Sequence, residues 1–188
     1  MSRRRFVRAT VAAMLSLNAD APELGLEGIH EGTVRVWRLD DFRRQWLILF
    51  FYPADFTFVC PTEVRGFNEK LPEFQKRGAA VVGVSVDDIE SHRAWAAELG
   101  GVRFPLLSDP GGKVATAYGV YDEEDGHAFR ATFVISPERR IAYAVASPMN
   151  VGRSVEETLR VLVALQTGRL CPADWREGDA TLDPVLKY

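Results

Sequence analysis

The chain has 188 residues, 47% of them hydrophobic, with 15 Gly, 10 Pro and 2 Cys. Its 23 basic and 26 acidic side chains leave a net charge of −3, which argues against a nucleic-acid binder that neutralises phosphates. The apolar content excludes a disordered chain, and no stretch approaches the roughly 20 apolar residues of a membrane span. Two cysteines and three scattered histidines (His30, His92, His127) are too few for a disulfide framework or the usual zinc cluster. What remains is one domain with a small inventory of reactive groups and no resident metal or cofactor expected.

Residues 1–16 read as an N-terminal extension. Ser2-Arg3-Arg4-Arg5-Phe6-Val7-Arg8, the apolar run Ala9 to Leu17 and the box Ala19-Asp20-Ala21 imitate a twin-arginine export signal. The apolar run is short, however, and Pro22 would follow the scissile bond. The expectation is therefore a cytoplasmic protein, with export as the alternative and a start at Met14 as another reading. Four positive charges lie in the first eight residues; the remainder, with 19 basic against 26 acidic groups, carries −7.

Beyond this segment, strand and helix patterns alternate. Leu47 to Tyr52 is a continuous apolar run, as in a strand covered on both faces. Pro61 to Lys76 has helical spacing through Val64, Phe67, Leu71 and Phe74, with Pro72 expected to kink or shorten it. Ala79 to Val86 reads as a second buried strand, and Asp88 to Leu99 as a helix stopped by Gly100-Gly101. A short strand at Phe104–Leu107, a turn at Ser108–Gly112 and a short helix from Lys113 to Tyr118 follow. Ala128 to Ser136 and Arg140 to Ala146 form a hairpin across Pro137-Glu138. Ser154 to Gln166 is a helix with a capping box at Ser154 and Glu157. This order predicts an α/β fold with a mixed central sheet flanked by helices, occupying residues 17–168. Residues 169–188 form a polar tail, expected to be mobile.

Cys60 carries the chemistry. It follows a buried strand and precedes Pro61, a residue favoured in the first helical turn. The sulfur therefore stands at the positive end of a helix, where free N–H groups favour thiolate over thiol. An unperturbed cysteine is only about 3% ionised at pH 7. Ionisation alone makes a nucleophile without stabilising a transition state, so a second group must hold substrate and take up charge. A buried structural thiol is the bland alternative, disfavoured by the polar neighbours Thr57, Thr62 and Glu63. Cys171 lies 111 residues later, in the tail segment Gly168-Arg-Leu-Cys171-Pro-Ala-Asp-Trp175. With no Cys-x-x-Cys present, a thioredoxin-type dithiol is excluded. A reactive thiolate and a distant second thiol suit oxidation to sulfenic acid followed by condensation with the other sulfur; a spectator surface thiol is the alternative for Cys171.

The segment Phe50-Phe-Tyr-Pro-Ala-Asp-Phe-Thr-Phe-Val-Cys-Pro-Thr-Glu63 resembles the signature of typical two-cysteine peroxiredoxins of the alkyl hydroperoxide reductase C group. Pro53, Thr57 and Cys60 fill its Pro-x-x-x-Thr-x-x-Cys core. The resemblance continues through Leu106-Leu-Ser-Asp-Pro110, Arg130-Ala-Thr-Phe-Val134, Val151-Gly-Arg-Ser154 and Cys171-Pro-Ala-Asp-Trp175. It implies a thioredoxin-like fold and a thiol peroxidase acting on hydrogen peroxide and organic hydroperoxides. Cys60 would attack the peroxide, Thr57 would hydrogen-bond the sulfur and the peroxide, and Pro53 would wall the pocket. Arg130 would supply fixed positive charge, oriented with the thiolate by Glu63 and Arg153. Cys171 would be the resolving cysteine, contributed by the other subunit of a homodimer, alone or in a ring of dimers. An external dithiol (thioredoxin, a flavoprotein disulfide reductase or an alkylhydroperoxidase D-type adapter) would then reduce the disulfide.

Three features depart from the wider pattern. Cys171 lies five residues beyond Gln166, a short hinge that resembles the actinobacterial branch. Residues 99–102 read Leu-Gly-Gly-Val in place of Gly-Gly-Leu-Gly, and no Tyr-Phe tail helix follows, so the active-site helix is expected to be unbraced and the enzyme resistant to overoxidation. Pro72 is the third. A holdase or redox sensor is the alternative of a different class, and a thioredoxin-like disulfide oxidoreductase is disfavoured by the missing cysteine pair.

Overall fold

The computed structural model describes residues 16–182, so the candidate export signal lies largely outside the described residues. Its central strand is β3 (Trp46–Phe51), whose alternation sends Leu47, Leu49 and Phe51 into one core and Ile48, Phe50 and the following Tyr52 into another. Both faces are buried, which is why the run carries no polar residue. β4 (Ala79–Ser85) pairs parallel with β3, and β5 (Leu106–Ser108) pairs parallel with β4. On the other side β8 (Arg130–Ile135) and the edge strand β9 (Ile141–Ser147) run antiparallel. The mixed sheet with flanking helices is the expected thioredoxin-like architecture.

A hairpin of β1 (Leu26–His30) and β2 (Thr33–Trp37) completes the sheet in the order β2-β1-β5-β4-β3-β8-β9. It was not predicted. Its turn residues Glu31 and Gly32 both have positive φ, 48° and 79°, the geometry of a two-residue hairpin turn. Likewise, Ala128 is not part of β8: β6 (Tyr121–Asp122) and β7 (His127–Ala128) make a separate small ribbon.

α1 (Cys60–Lys76), α2 (Ile89–Glu98) and α4 (Val155–Thr167) cover the Phe50 face, while α3 (Lys113–Ala117) serves the other. Asp88 caps α2 and Ser154 caps α4. Only half of the predicted capping box forms, because the Glu157 carboxylate pairs with Arg160 instead of the Ser154 amide. α1 and α4 run in the same direction: Gly66 admits Val155 near their starts, and Gln166 Nε2 donates to the Arg77 carbonyl near their ends.

Pro72 does not shorten α1, contrary to expectation. Its ring is on the exposed side, and it lacks the N–H that would serve the Asn68 carbonyl four residues back. Arg103 Nη2 donates to that carbonyl, while the Asn68 side chain accepts from the Arg103 amide and donates to the Gly101 carbonyl. A side chain from a neighbouring loop thus replaces the missing helix bond. The tail is also less free than expected. Trp175 is buried, its carbonyl accepts from Arg160, Arg77 pairs with Glu177, and Leu170 bridges to Leu182.

If Arg103 replaces the helix donor, Pro72→Ala stabilises the protein by about 1 kcal/mol or more, since an interior helix regains its bond. Arg103→Ala then costs about 1 kcal/mol in the natural background and measurably less beside Ala at position 72. Urea unfolding of the four proteins of this cycle gives the coupling directly.

Candidate active site

The loop leaving β3 delivers Cys60 as the first residue of α1, with Pro61 behind it and no side chain capping the turn. The sulfur has no exposed surface. Arg130, at the start of β8, donates from Nη1 to Sγ at 3.2 Å and from Nε to the Met149 carbonyl at 2.8 Å. The same Nη1 donates to Glu63 Oε2 at 2.8 Å. Three of the five guanidinium N–H groups are thereby engaged, and Nη2 has no partner among the described residues.

Glu63 lies three residues after Cys60, one turn along α1, and is 2% exposed. Its Oε1 accepts from the Arg153 amide and Nε, both at 2.8 Å, and its Oε2 from Arg153 Nη2 at 2.7 Å. Arg153 Nη1 in turn reaches the carbonyls of Phe51 (2.8 Å) and Ala131 (2.7 Å) and the Thr132 hydroxyl (3.2 Å). One guanidinium therefore joins the ends of β3 and β8 to the first turn of α1. Burial alone would push the Glu63 carboxyl up, but the hydrogen bonds and charge of Arg153, then the charge of Arg130, outweigh it and hold the group below its ordinary 4.5.

Charge counting gives this cluster its chemical sense. Two guanidiniums and one carboxylate sum to +1 in a buried site, and a buried unbalanced charge is costly. The Cys60 sulfur is the further group that Arg130 Nη1 reaches, at the first turn of α1.

The sequence-derived site residues divide into three groups. Cys60, Arg130, Glu63 and Arg153 meet as expected. Pro53 is buried and Thr57 half-buried in the loop before α1, but the implied Thr57–sulfur bond is not formed. The Thr57 hydroxyl donates to the Ala54 carbonyl at 3.1 Å, closing a tight turn inside its own loop. Cys171 is apart from the others, half-buried, with its sulfur 3.6 Å from Thr167 Oγ1 at the far end of α4. Both cysteines are free thiols. The expectation of an unbraced α1 is corrected as well, since Glu63 and Asn68 anchor its first half. The Met149 carbonyl and the Asp55 carboxylate that anchors the loop were missed. A backbone acceptor has no sequence signature, and Asp55 reads simply as a loop residue. Among the described residues no group of three or more His, Cys, Asp or Glu is placed to hold a metal, and no helix is long and apolar enough to cross a membrane.

A family model described as AhpC/TSA matches residues 17–144, a span that contains Cys60, Glu63 and Arg130. The chain belongs to the AhpC/TSA family. It is a peroxiredoxin, a thiol-dependent peroxidase. Among its relatives are the selenocysteine-containing peroxiredoxin PrxU of Peptoclostridium acidaminophilum, 43% identical over 91% of this chain and 90% of that protein. Peroxiredoxin 2 of Drosophila melanogaster is 41% identical over 92% of this chain and 95% of its own length. The reduced 2-Cys peroxiredoxin of Plasmodium vivax superposes with a TM-score of 0.84 at 30% identity, covering 89% of this chain and 93% of that one.

In this peroxiredoxin the Glu63 carboxyl has a folded-state value below its ordinary one. Its contribution to stability is complete above about pH 4.5 and fades as pH falls through the lowered value. Glu63→Gln leaves buried guanidiniums without their counter-charge and costs about 3–5 kcal/mol at pH 7. The gap to the natural protein narrows below about pH 4.5, and urea midpoints measured from pH 7 down to about pH 3 follow it.

Proposed function

We propose that Cys60 is the attacking sulfur, acting on hydrogen peroxide and organic hydroperoxides. The thiolate attacks the terminal oxygen, the O–O bond breaks, and Cys60 becomes a sulfenic acid. The departing oxygen takes a proton and leaves as water or an alcohol. The 3.2 Å contact between Arg130 Nη1 and Sγ is the observation that carries this reading. It puts a fixed cation where charge moves from sulfur to oxygen, with the two N–H groups of Nη2 available to the peroxide. Pro53 and Thr57 complete the pocket from the loop side.

Resolution then falls to Cys171: its thiol condenses with the sulfenic acid, forming a disulfide and releasing water. Cys60 opens α1, whereas Cys171 sits beside Ala164 and Thr167 at the end of the co-directional α4. A 17-residue helix is about 25 Å long, so the two sulfurs of one chain stand roughly a helix length apart. That separation, with the tail pinned at Trp175, favours Cys171 of a second copy. β9 supports a homodimer further, because it is an edge strand whose sequence, IAYAVAS, carries no charge to discourage pairing. An external dithiol (thioredoxin, flavoprotein disulfide reductase or D-type adapter) closes the cycle. A cytoplasmic setting is supported by the candidate cleavage box, which is bonded into the fold through Ala21 N to the Arg139 carbonyl and Ile141 N to the Ala19 carbonyl.

Non-reducing electrophoresis after one equivalent of peroxide tests the cycle. The natural protein gives a covalent dimer; Cys60→Ser and Cys171→Ser alone do not, but a mixture of the two does. An intrachain disulfide, or full turnover by Cys171→Ser with the same dithiol, contradicts it. Cys60→Ser abolishes peroxide consumption.

A further inference from the structure

Asp55 lies in the middle of the loop that supplies Pro53 and Thr57, yet its carboxylate is directed away from them, toward α2. It is 6% exposed and accepts three hydrogen bonds: from the Tyr52 hydroxyl at 2.9 Å, the Ser91 hydroxyl at 2.8 Å and His92 Nδ1 at 2.8 Å. Its amide donates to Asp87 Oδ2 at 2.9 Å, and that carboxylate is held by the Ser85 hydroxyl at 2.6 Å. Burial, reinforced by the Asp55 charge, pushes the Tyr52 phenol up, so its hydroxyl remains a donor.

His92 is the unusual member. It is fully buried, and its Nε2 has no partner among the described residues. An apolar ring at this position would avoid the cost of an orphaned polar atom. What the imidazole adds is Nδ1–H, aimed at Asp55. The next residue, Phe56, has φ +52°, a left-handed conformation that a bulky residue holds only when its surroundings over-determine it.

We propose that His92 is a positioning residue for the peroxide reaction: through Asp55 it fixes the loop 53–57, so that Pro53 and Thr57 stand correctly about the Cys60 sulfur. The inference rests on Cys60 being the attacking sulfur. It separates two reactions of that sulfur. Alkylation requires a charged sulfur and access, whereas reduction of a peroxide also requires the oxygens to be aligned by the pocket, and small misplacement there is expensive.

The test compares second-order rate constants of Cys60 with hydrogen peroxide and with iodoacetamide, in the full-length protein. His92→Phe keeps a ring but removes the donor; the peroxide rate falls at least about tenfold while alkylation is no slower. His92→Asn places an amide N–H near the position of Nδ1 and recovers the peroxide rate to within about threefold of the natural protein. The proposal is overturned if the Phe variant reacts with peroxide within about threefold of the natural protein, if both rates fall together, or if Asn is no better than Phe. Should His92→Phe fail to fold by circular dichroism, Ser91→Ala decides, since it removes one donor from Asp55 at a half-buried site. A peroxide-to-alkylation ratio lowered about threefold supports the proposal, and an unchanged ratio overturns it. Peroxide consumption that survives Cys60→Ser would instead sink the assignment of Cys60 and is read separately.

Discussion

A single carboxylate shared by two buried guanidiniums holds this site together. Glu63 receives the Arg153 fork on one side and Arg130 Nη1 on the other. Arg153 Nη1 donates to the ends of β3 and β8, so the carboxylate is referenced to the sheet as well as to α1. Arg130 is thereby aimed rather than merely attracted: Glu63 and the Met149 carbonyl fix two edges of its fork, and the sulfur takes what that orientation leaves. A lysine in its place would carry the same charge without the geometry.

The arrangement also sets a conflict between the two halves of the proposed cycle. Attack on peroxide needs Cys60 inside the closed pocket, on an intact first turn. The proposed disulfide step would bring the oxidised sulfur out of the pocket, against the bonds of the turn that carries Glu63. The bonds that organise the first step oppose the second. Further along α1 the Asn68–Arg103 contacts hold the helix around Pro72. The tail contributes its own restraint through Trp175 and the Arg77–Glu177 pair.

What could be read in advance was local. The apolar run of β3, the proline behind Cys60 and the Ser154 cap are short-range signals, and each appears where it was expected. The pairing of Cys60 with Arg130, 70 residues downstream, and of Glu63 with Arg153, 90 residues downstream, follows only from resemblance, because no periodicity links them. Pro72 was misread for the opposite reason: a local rule is sound until a remote side chain supplies the missing donor. The Thr57 hydroxyl donates to the Ala54 carbonyl three residues back, an arrangement that depends on loop geometry rather than residue type. The β1–β2 hairpin turns on Glu31-Gly32, where the glycine is a local signal of its positive φ.

The aim of Arg130 is best measured by the rate at which hydrogen peroxide first oxidises Cys60 in Arg130→Lys, followed by stopped flow at neutral pH. Lysine retains the positive charge but cannot serve Glu63, the Met149 carbonyl and the sulfur at once. The account predicts a loss of about a hundredfold or more, the scale of removing one preorganised donor. A rate within about threefold of the natural protein would show that charge alone suffices, and that the shared carboxylate does not organise the reaction.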